Sequence, residues 1–468
     1  MMRRVFKKAI VVGGVMCAMA SAGLADTDIA ALKTRIGAVR KRLETLEKNQ
    51  NLCYQSADRP EWCQNDVDQA IKTHLKAAKP GYIHLEGLNT DFKPVAFMKV
   101  NYIHSRKASS TAIAYECVFA PLVPVQGTFA HRRRGESHFT ARQSMLGFET
   151  LTALPESILE TKFDADFFGY TDVGTEQITN HYYHRLRHAY VKWTWGRVAF
   201  LFGQIDNTFR DLDVAPETAD FEGPAGMASF RQPEAQMIID LNAQQKLWVT
   251  LGNSESNYTE TDGVTAAKRN TLNGMVTTTG FGLDEWPDLI LKWRYEGNWG
   301  HVCVRGLSVQ HRVRTHLYNA RQHGWGAGVS GHLKVRDHDK LMLSYNDGVG
   351  IGRYNIEAFG QAAVFNTVTK DFSPIRSQGY MAAYQWHWTS ELRSNIAWGR
   401  TRIYNPGVLR RLVNQEVNRD LRTWHVNMFW TPLKGLDLGL EFSQANRKIE
   451  DTRRGRGDRY EAVVKYTF

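Results

Sequence analysis

The sequence predicts an all-β transmembrane barrel of about sixteen antiparallel strands, preceded by an N-terminal α-helical coiled coil. Three observations carry that reading. Segments of about ten residues with alternating apolar and polar positions, broken by Gly, Pro, Asn and Asp, fill the chain after Pro94. Beyond the first 25 residues no apolar run reaches the roughly 18 residues that a membrane-crossing helix needs. The last strand, Tyr460 to Phe468, is amphipathic and stops on an aromatic residue.

The N-terminus reads as a secretory signal over residues 1–25. Arg3, Arg4, Lys7 and Lys8 form its charged region, Ala9 to Ala20 its apolar region, and Gly23-Leu24-Ala25 a small-residue cleavage site. Cys17 raises a lipoprotein alternative, which the large Met16 before it disfavours. Removing this segment takes away four basic side chains and no acidic ones, so the formal charge falls from +11 to about +7. Nucleic acid is a poor partner for an exported chain with no basic run interleaved with aromatics. Small anionic solutes and lipopolysaccharide are the expected ones.

Residues 26–50 read as a periplasmic coiled coil. Ile29, Leu32, Ile36, Val39, Leu43 and Leu46 recur at 3-4-3-4-3 spacing between charged residues. A lone helix of this length is marginal in water, so the seam calls for partner helices, as in a homotrimer, or for packing against its own barrel. Residues 51–93 read as a linker, with a short helical possibility at Val67 to Ala77. Cys53 and Cys63 there form a disulfide, remain as thiols or bridge two chains; an oxidising periplasm permits the first. Cys303, inside a strand-like run, reads as a small packing residue.

The barrel is assigned to residues 94–468. In Leu159 to Phe167 the odd positions are Leu159, Thr161, Phe163, Ala165 and Phe167, and the even ones Glu160, Lys162, Asp164 and Asp166. Period 2 puts these sets on opposite faces. Each charge turned toward lipid costs up to about 2–4 kcal/mol near the midplane, so the charged set must face a wet lumen. The runs Ala382 to Trp388 and Leu392 to Trp398, then Trp424 to Trp430 and Leu436 to Phe442, read as hairpins with short turns. Sixteen strands are expected to begin near residues 95, 138, 158, 184, 197, 231, 246, 288, 300, 325, 340, 378, 392, 422, 436 and 459. One segment conflicts with the pattern: Arg185 and Arg187 share the parity of the apolar Ala189, Val191 and Trp193, which demands a rim position or a bulge.

The final strand places Tyr460, Ala462, Val464, Tyr466 and Phe468 on one face. It resembles the signal by which outer-membrane proteins engage the barrel-assembly machinery. A narrower resemblance rests on Thr140-Ala141-Arg142-Gln143-Ser144, Leu146-Gly147-Phe148-Glu149, Arg187-His188-Ala189-Tyr190-Val191, Gly203 through Phe209, and Phe221-Glu222-Gly223-Pro224 followed by Arg231-Gln232-Pro233. In this order they are similar to the DcaP-like porins. The resemblance implies a trimeric, sixteen-stranded barrel with an N-terminal coiled coil that admits small anions, dicarboxylates included. Two departures stand out: Met145 replaces a residue more often basic in the family, and Cys117 to Arg134 has no counterpart.

In general porins the loop after the fifth strand narrows the lumen. Here that loop runs from about Asp206 to Ser229 and carries Asp211, Asp213, Glu217, Asp220 and Glu222. Opposed by wall cations, drawn from Arg142, Lys162, Lys192, Arg231, Lys292, Arg294, Arg305 and Arg393, it would set a transverse field that selects solutes by charge. A solvated lumen charge without a selective role is the plainer reading of any one of these. His184 and His188 share a strand face but lack the Cys or carboxylate partners of a metal site, so no metal or cofactor is expected. No nucleophile elbow, P-loop or HExxH motif indicates an enzyme. The expected function is passive diffusion of small, preferentially anionic solutes through the bacterial outer membrane. The alternative is a barrel that anchors the coiled coil as a structural tether or adhesin.

Overall fold

A computed structural model describes residues 80–85, 87–107, 117–169, 183–228, 230–256, 258–261, 270–272, 275–277, 283–314, 319–336, 338–358, 361–366, 368–410 and 416–468. The signal segment, the heptads from Ile29 to Leu46, the helical possibility at Val67 to Ala77, Cys53 and Cys63 lie outside the described residues.

One sheet of eighteen strand segments closes on itself. One of these is a short flap, Ile83–Leu85, and two are halves of a single broken strand, which leaves sixteen barrel strands. They are β1 (Thr90–Lys107), β2 (Glu136–Thr140 with Met145–Ala153), β3 (Ser157–Gly169), β4 (Tyr183–Trp195), β5 (Val198–Asp206), β6 (Arg231–Asp240), β7 (Gln245–Gly252) and β8 (Asp288–Gly297). Then follow β9 (Gly300–Arg314), β10 (Asn319–Lys334), β11 (Lys340–Val349), β12 (Arg376–His387), β13 (Leu392–Tyr404), β14 (Asn418–Leu433), β15 (Leu436–Ile449) and β16 (Arg454–Thr467). Each pairs antiparallel with its sequence neighbours. The seam is β16 against β1, from Phe97 opposite Thr467 to Lys107 opposite Asp458. Closure removes every open edge, so the backbone polar groups in hydrocarbon are satisfied.

Side chains obey the period of two. Along β14, Trp424, Val426, Met428 and Trp430 are exposed outward while Thr423, His425, Asn427 and Phe429 are buried inward. On β16 the outward set is Tyr460, Val464 and Tyr466, with Phe468 exposed beside it. Long connections leave one end of the barrel and short turns, such as 154–156, 298–299 and 434–435, the other. In an outer-membrane barrel the short turns face the periplasm.

Strand boundaries depart from expectation where polarity hides them. β10, β14 and β16 begin several residues before the expected starts, in polar stretches such as Asn319 to Gly324 that carry no apolar alternation. The barrel begins at Thr90 rather than at residue 94, and the stretch expected as linker pairs: Ile83–Leu85 lies against Thr90 to Phe92. Pro94 sits inside β1, opposite Phe148 of β2. On its other side β16 has already ended, so the N–H that proline lacks has no neighbour to serve.

The conflict in β4 is resolved by a bulge. Asp164 stands opposite His188 and Ala165 opposite Leu186, so Arg187 is the extra residue. The slip turns Leu186 outward and brings Arg185 opposite Asp166.

The segment Cys117 to Arg134, which had no counterpart in the sequence pattern, folds into the long-loop mouth. Val118, Ala120 and Val123 pack with Ala358 and Val364 of other long loops and with Ile403, Leu421 and Ala445 of the wall. Cys117 and Cys303 are both buried.

Candidate functional site

The connection from β5 to β6 folds inward and lies along the opposite wall. Its start is pinned by Phe209, which packs on Ile290, Leu307 and Tyr354, while Arg305 donates from Nη1 to the Phe209 carbonyl at 2.7 Å. Asp211 accepts from His301 at 2.9 Å and from Ser330 at 2.5 Å. Asp213 pairs with Arg294, and Glu217 takes a bidentate pair from Arg393 with both contacts at 2.6 Å. Next the backbone N–H of Ala219 donates to Glu441 at 2.8 Å and that of Ala225 to Thr423 at 2.7 Å. Asp220 accepts from the Val118 N–H, tying this loop to the first long loop.

Glycine makes the seat possible. Gly226 has φ +81°, and a Cβ on it would fall 2.5 Å from the Tyr380 carbonyl. A Cβ on Gly399 of the wall would fall 2.0 Å from the Ala225 carbonyl, and one on Gly379 2.3 Å from that of Gly226. Backbone therefore lies directly on backbone.

The loop acids are anchors. Burial alone would raise the Asp211 carboxyl, yet the His301 and Ser330 hydrogen bonds and the charge of Lys292 hold it well below the usual range. Glu222 goes the other way. Desolvated beside Glu357 and Asp220, with its Oε1 shielded from solvent, its carboxyl is pushed up to about 7. Burial also lifts Glu357 to about 7, against the hydrogen bonds it accepts from Gly226 and Thr401.

The wall of β2 to β6, with Arg142 and Arg210 beside it, carries a ladder of alternating charge. Arg185 forks onto Asp166 at 3.0 and 2.6 Å, and Arg187 reaches Asp166 at 3.2 Å and Asp164 at 3.6 Å. His188 bridges Asp164 and Asp206 at 2.9 and 3.0 Å. Arg210 and Arg231 flank Asp206 at 2.9 and 3.5 Å. Lys162 contacts Glu149 at 3.0 Å, Lys192 contacts Glu160 at 2.6 Å, and Arg142 donates to the carbonyls of Phe167 and Gly169. Among the described residues these cations contact five carboxylates, and Glu234 of β6 is buried on the same inward face, where it accepts from Thr208, Gln232 and Gln236. Phe221 of the loop stacks on Phe168 at 4.3 Å, with Arg185 over both rings, so the loop tip meets this wall.

Several expected pore residues sit elsewhere. Arg305 is only 3% exposed and Lys292 donates to the Arg210 carbonyl, so both lie behind the loop. Asp211, Asp220 and Glu222 are likewise turned away from open lumen, leaving Asp213 the exposed acid. An acidic loop lying against a basic wall satisfies its charges there, at contact distance, instead of opposing that wall across water. Arg185, Arg187 and Arg210 were missed. Their one sequence signal was the parity conflict of the first two. His184 stacks on Phe167 and does not join His188, since the bulge separates them. Among the described residues Asp211, Asp213 and His301 lie close enough to hold a metal, but Arg294 on Asp213 and Lys292 beside Asp211 oppose a cation there.

The family model described as DcaP outer membrane protein matches residues 21–468. Among solved structures the chain is similar to the outer membrane channel DcaP of Acinetobacter baumannii, at 21% identity and TM-score 0.67, covering 82% of this chain and 99% of that one. It is also similar to Salmonella typhi OmpF in complex with daunomycin, at 10% identity and TM-score 0.51, covering 83% and 100%. At these identities the likeness speaks for the fold. A comparison with curated proteins gave no match.

Proposed function

The chain belongs to the DcaP outer membrane protein family, and from that premise we propose that it is a passive, homotrimeric porin that prefers small hydrophilic anions, dicarboxylates among them. The observation that supports the preference is the ladder on β2 to β6, where Lys162, Arg185 and Lys192 keep part of their side chains in water while Asp164 and Asp166 are buried beneath them. An anion passing there exchanges water for guanidinium donors spaced along its path, each already half-neutralised by a carboxylate. Such contacts are strong enough to draw a solute in and weak enough to release it. Dicarboxylates suit a ladder whose cations recur on neighbouring strands. Zero-current potentials in a salt gradient test the reading: an anion-selective sign supports it, and a cation-selective one removes it.

Trimerisation rests on the heptads at Ile29 to Leu46, which would stand in the periplasm. A heat-sensitive band above the monomer mass on unboiled gels is the expected result. The outward aromatic row of β16 with Phe468 suits recognition by the barrel-assembly machinery, and lipopolysaccharide is the natural outer-leaflet neighbour. A second reading, a tether whose barrel is sealed, draws on the apolar packing of Val118, Ala120 and Val123 inside the mouth. Single-channel recording separates the two, because a sealed barrel carries no current.

A further inference from the structure

A second group of cations lies in the lumen at the short-turn end, apart from the arginine ladder. Lys334, Lys340 and Gln385 stand side by side across β10, β11 and β12: Lys334 pairs with Lys340, and Lys340 with Gln385. All three point inward, because His332, Met342 and Ala383, two residues along on the same faces, are buried in the barrel. His387 shares the face of Gln385. The turn after β10 brings His338 and Asp339 alongside, with the His338 and His387 rings 5.9 Å apart. Together these six residues line a cavity of about 230 Å³. Since a water occupies about 30 Å³ in the liquid, there is room for an oxyanion group with part of its hydration.

The charge in this cavity is unbalanced. Its one carboxylate, Asp339, already accepts from the His387 backbone N–H at 2.8 Å and from the Tyr384 hydroxyl at 3.2 Å. Among the described residues no carboxylate lies within ion-pair distance of either lysine. The Nδ1 of His387 is shielded from solvent without a hydrogen bond, 3.8 Å from Asp339. Gln385 reaches Glu217 of the inner loop at 3.4 Å, which links the cavity to the foot of the constriction.

We infer that this cavity is a second anion subsite, in the periplasmic vestibule, that holds one carboxylate or phosphate group of a solute between Lys334, Lys340 and the two imidazoles. The inference rests on the porin reading and adds a second station to the path. Two ammonium groups and an engaged Asp339 make the site hostile to the divalent metal that two histidines and a carboxylate would otherwise suit.

The test uses the full chain in planar bilayers, with inorganic phosphate added to one side at a time and binding read from current noise. In K334Q/K340Q the half-blocking phosphate concentration on the short-turn side should rise about tenfold, roughly threefold for each solvated ammonium removed. Block from the long-loop side and the anion-selective zero-current potential should stay as in the wild type. An unchanged short-turn block overturns the subsite. So does zinc block that H338A/H387A abolishes while phosphate block persists. Cation selectivity in the wild type would sink the porin's anion preference and leave the phosphate result to decide the subsite alone. If the double variant fails to assemble, single K340Q, compared with charge-keeping K340R, carries the same readout.

Discussion

The two sides of the lumen are built from similar residues and behave differently. On β2 to β6, cations and carboxylates interleave with the cations toward water: Lys162, Arg185 and Lys192 keep a quarter or more of their side chains exposed while Asp164 and Asp166 are buried. On β8 to β16, Lys292, Arg305, His301 and Glu441 are just as polar, yet the inner loop covers them and each is consumed in holding it. Charge in this lumen thus stands in two settings, open to water on one side and spent on attachment on the other. A backbone laid on the wall decides which.

The covered side should be broken most sharply at its glycines. G379V/G399V puts side chains where the loop carbonyls lie, so the loop must lift; the expected cost is about 3 kcal/mol of stability, read from gel heat-modifiability, with a larger unit conductance. Valine at Gly306, whose Cβ would meet nothing within 4 Å, should change neither. Next, D211A strips His301 and Ser330 of their buried acceptor and should cost about 2 kcal/mol with noisier open-channel current. On the open side, K162Q/K192Q should lower the anion-to-cation permeability ratio about threefold in zero-current potentials while leaving heat stability nearly unchanged, because both ammoniums and their Glu149 and Glu160 partners are partly exposed.

The smallest effect is a pH dependence. Glu222 and Glu357 have carboxyls raised from 4.5 to about 7, so the seated loop binds more protons than the released one between those values. Their contribution to seating is therefore complete below about pH 4.5 and is lost as pH rises through about 7. Open-channel noise should grow between pH 5 and 8 in the wild type and flatten in E222Q/E357Q. Noise that instead grows on acidification would mean that these carboxylates seat the loop as anions.

Much of the open wall was legible in the sequence because it lies on regular strands. Lys162 and Lys192 follow from parity alone, and the clash of Arg185 and Arg187 with their apolar neighbours pointed to the bulge without placing it. The covered wall was not legible. Lys292 and Arg305 have the same inward parity as Lys162 and Lys192, and only the position of Phe209 and Arg210 above them takes them out of water. Arg210 itself lies on no strand, so periodicity is silent about it.

By itself the sequence determined the barrel, the inward or outward face of regular strand positions and the aromatic close at Phe468. Lipid tolerates little charge on the one face it touches, and a period of two leaves one solution. Tertiary structure alone decided which inward charges stay open to water. That choice depends on contacts between residues far apart in the chain, such as Ala219 with Glu441 and Ala225 with Thr423. Such contacts leave no local period, because a loop's path is set by where its backbone finds hydrogen-bond partners in the closed barrel.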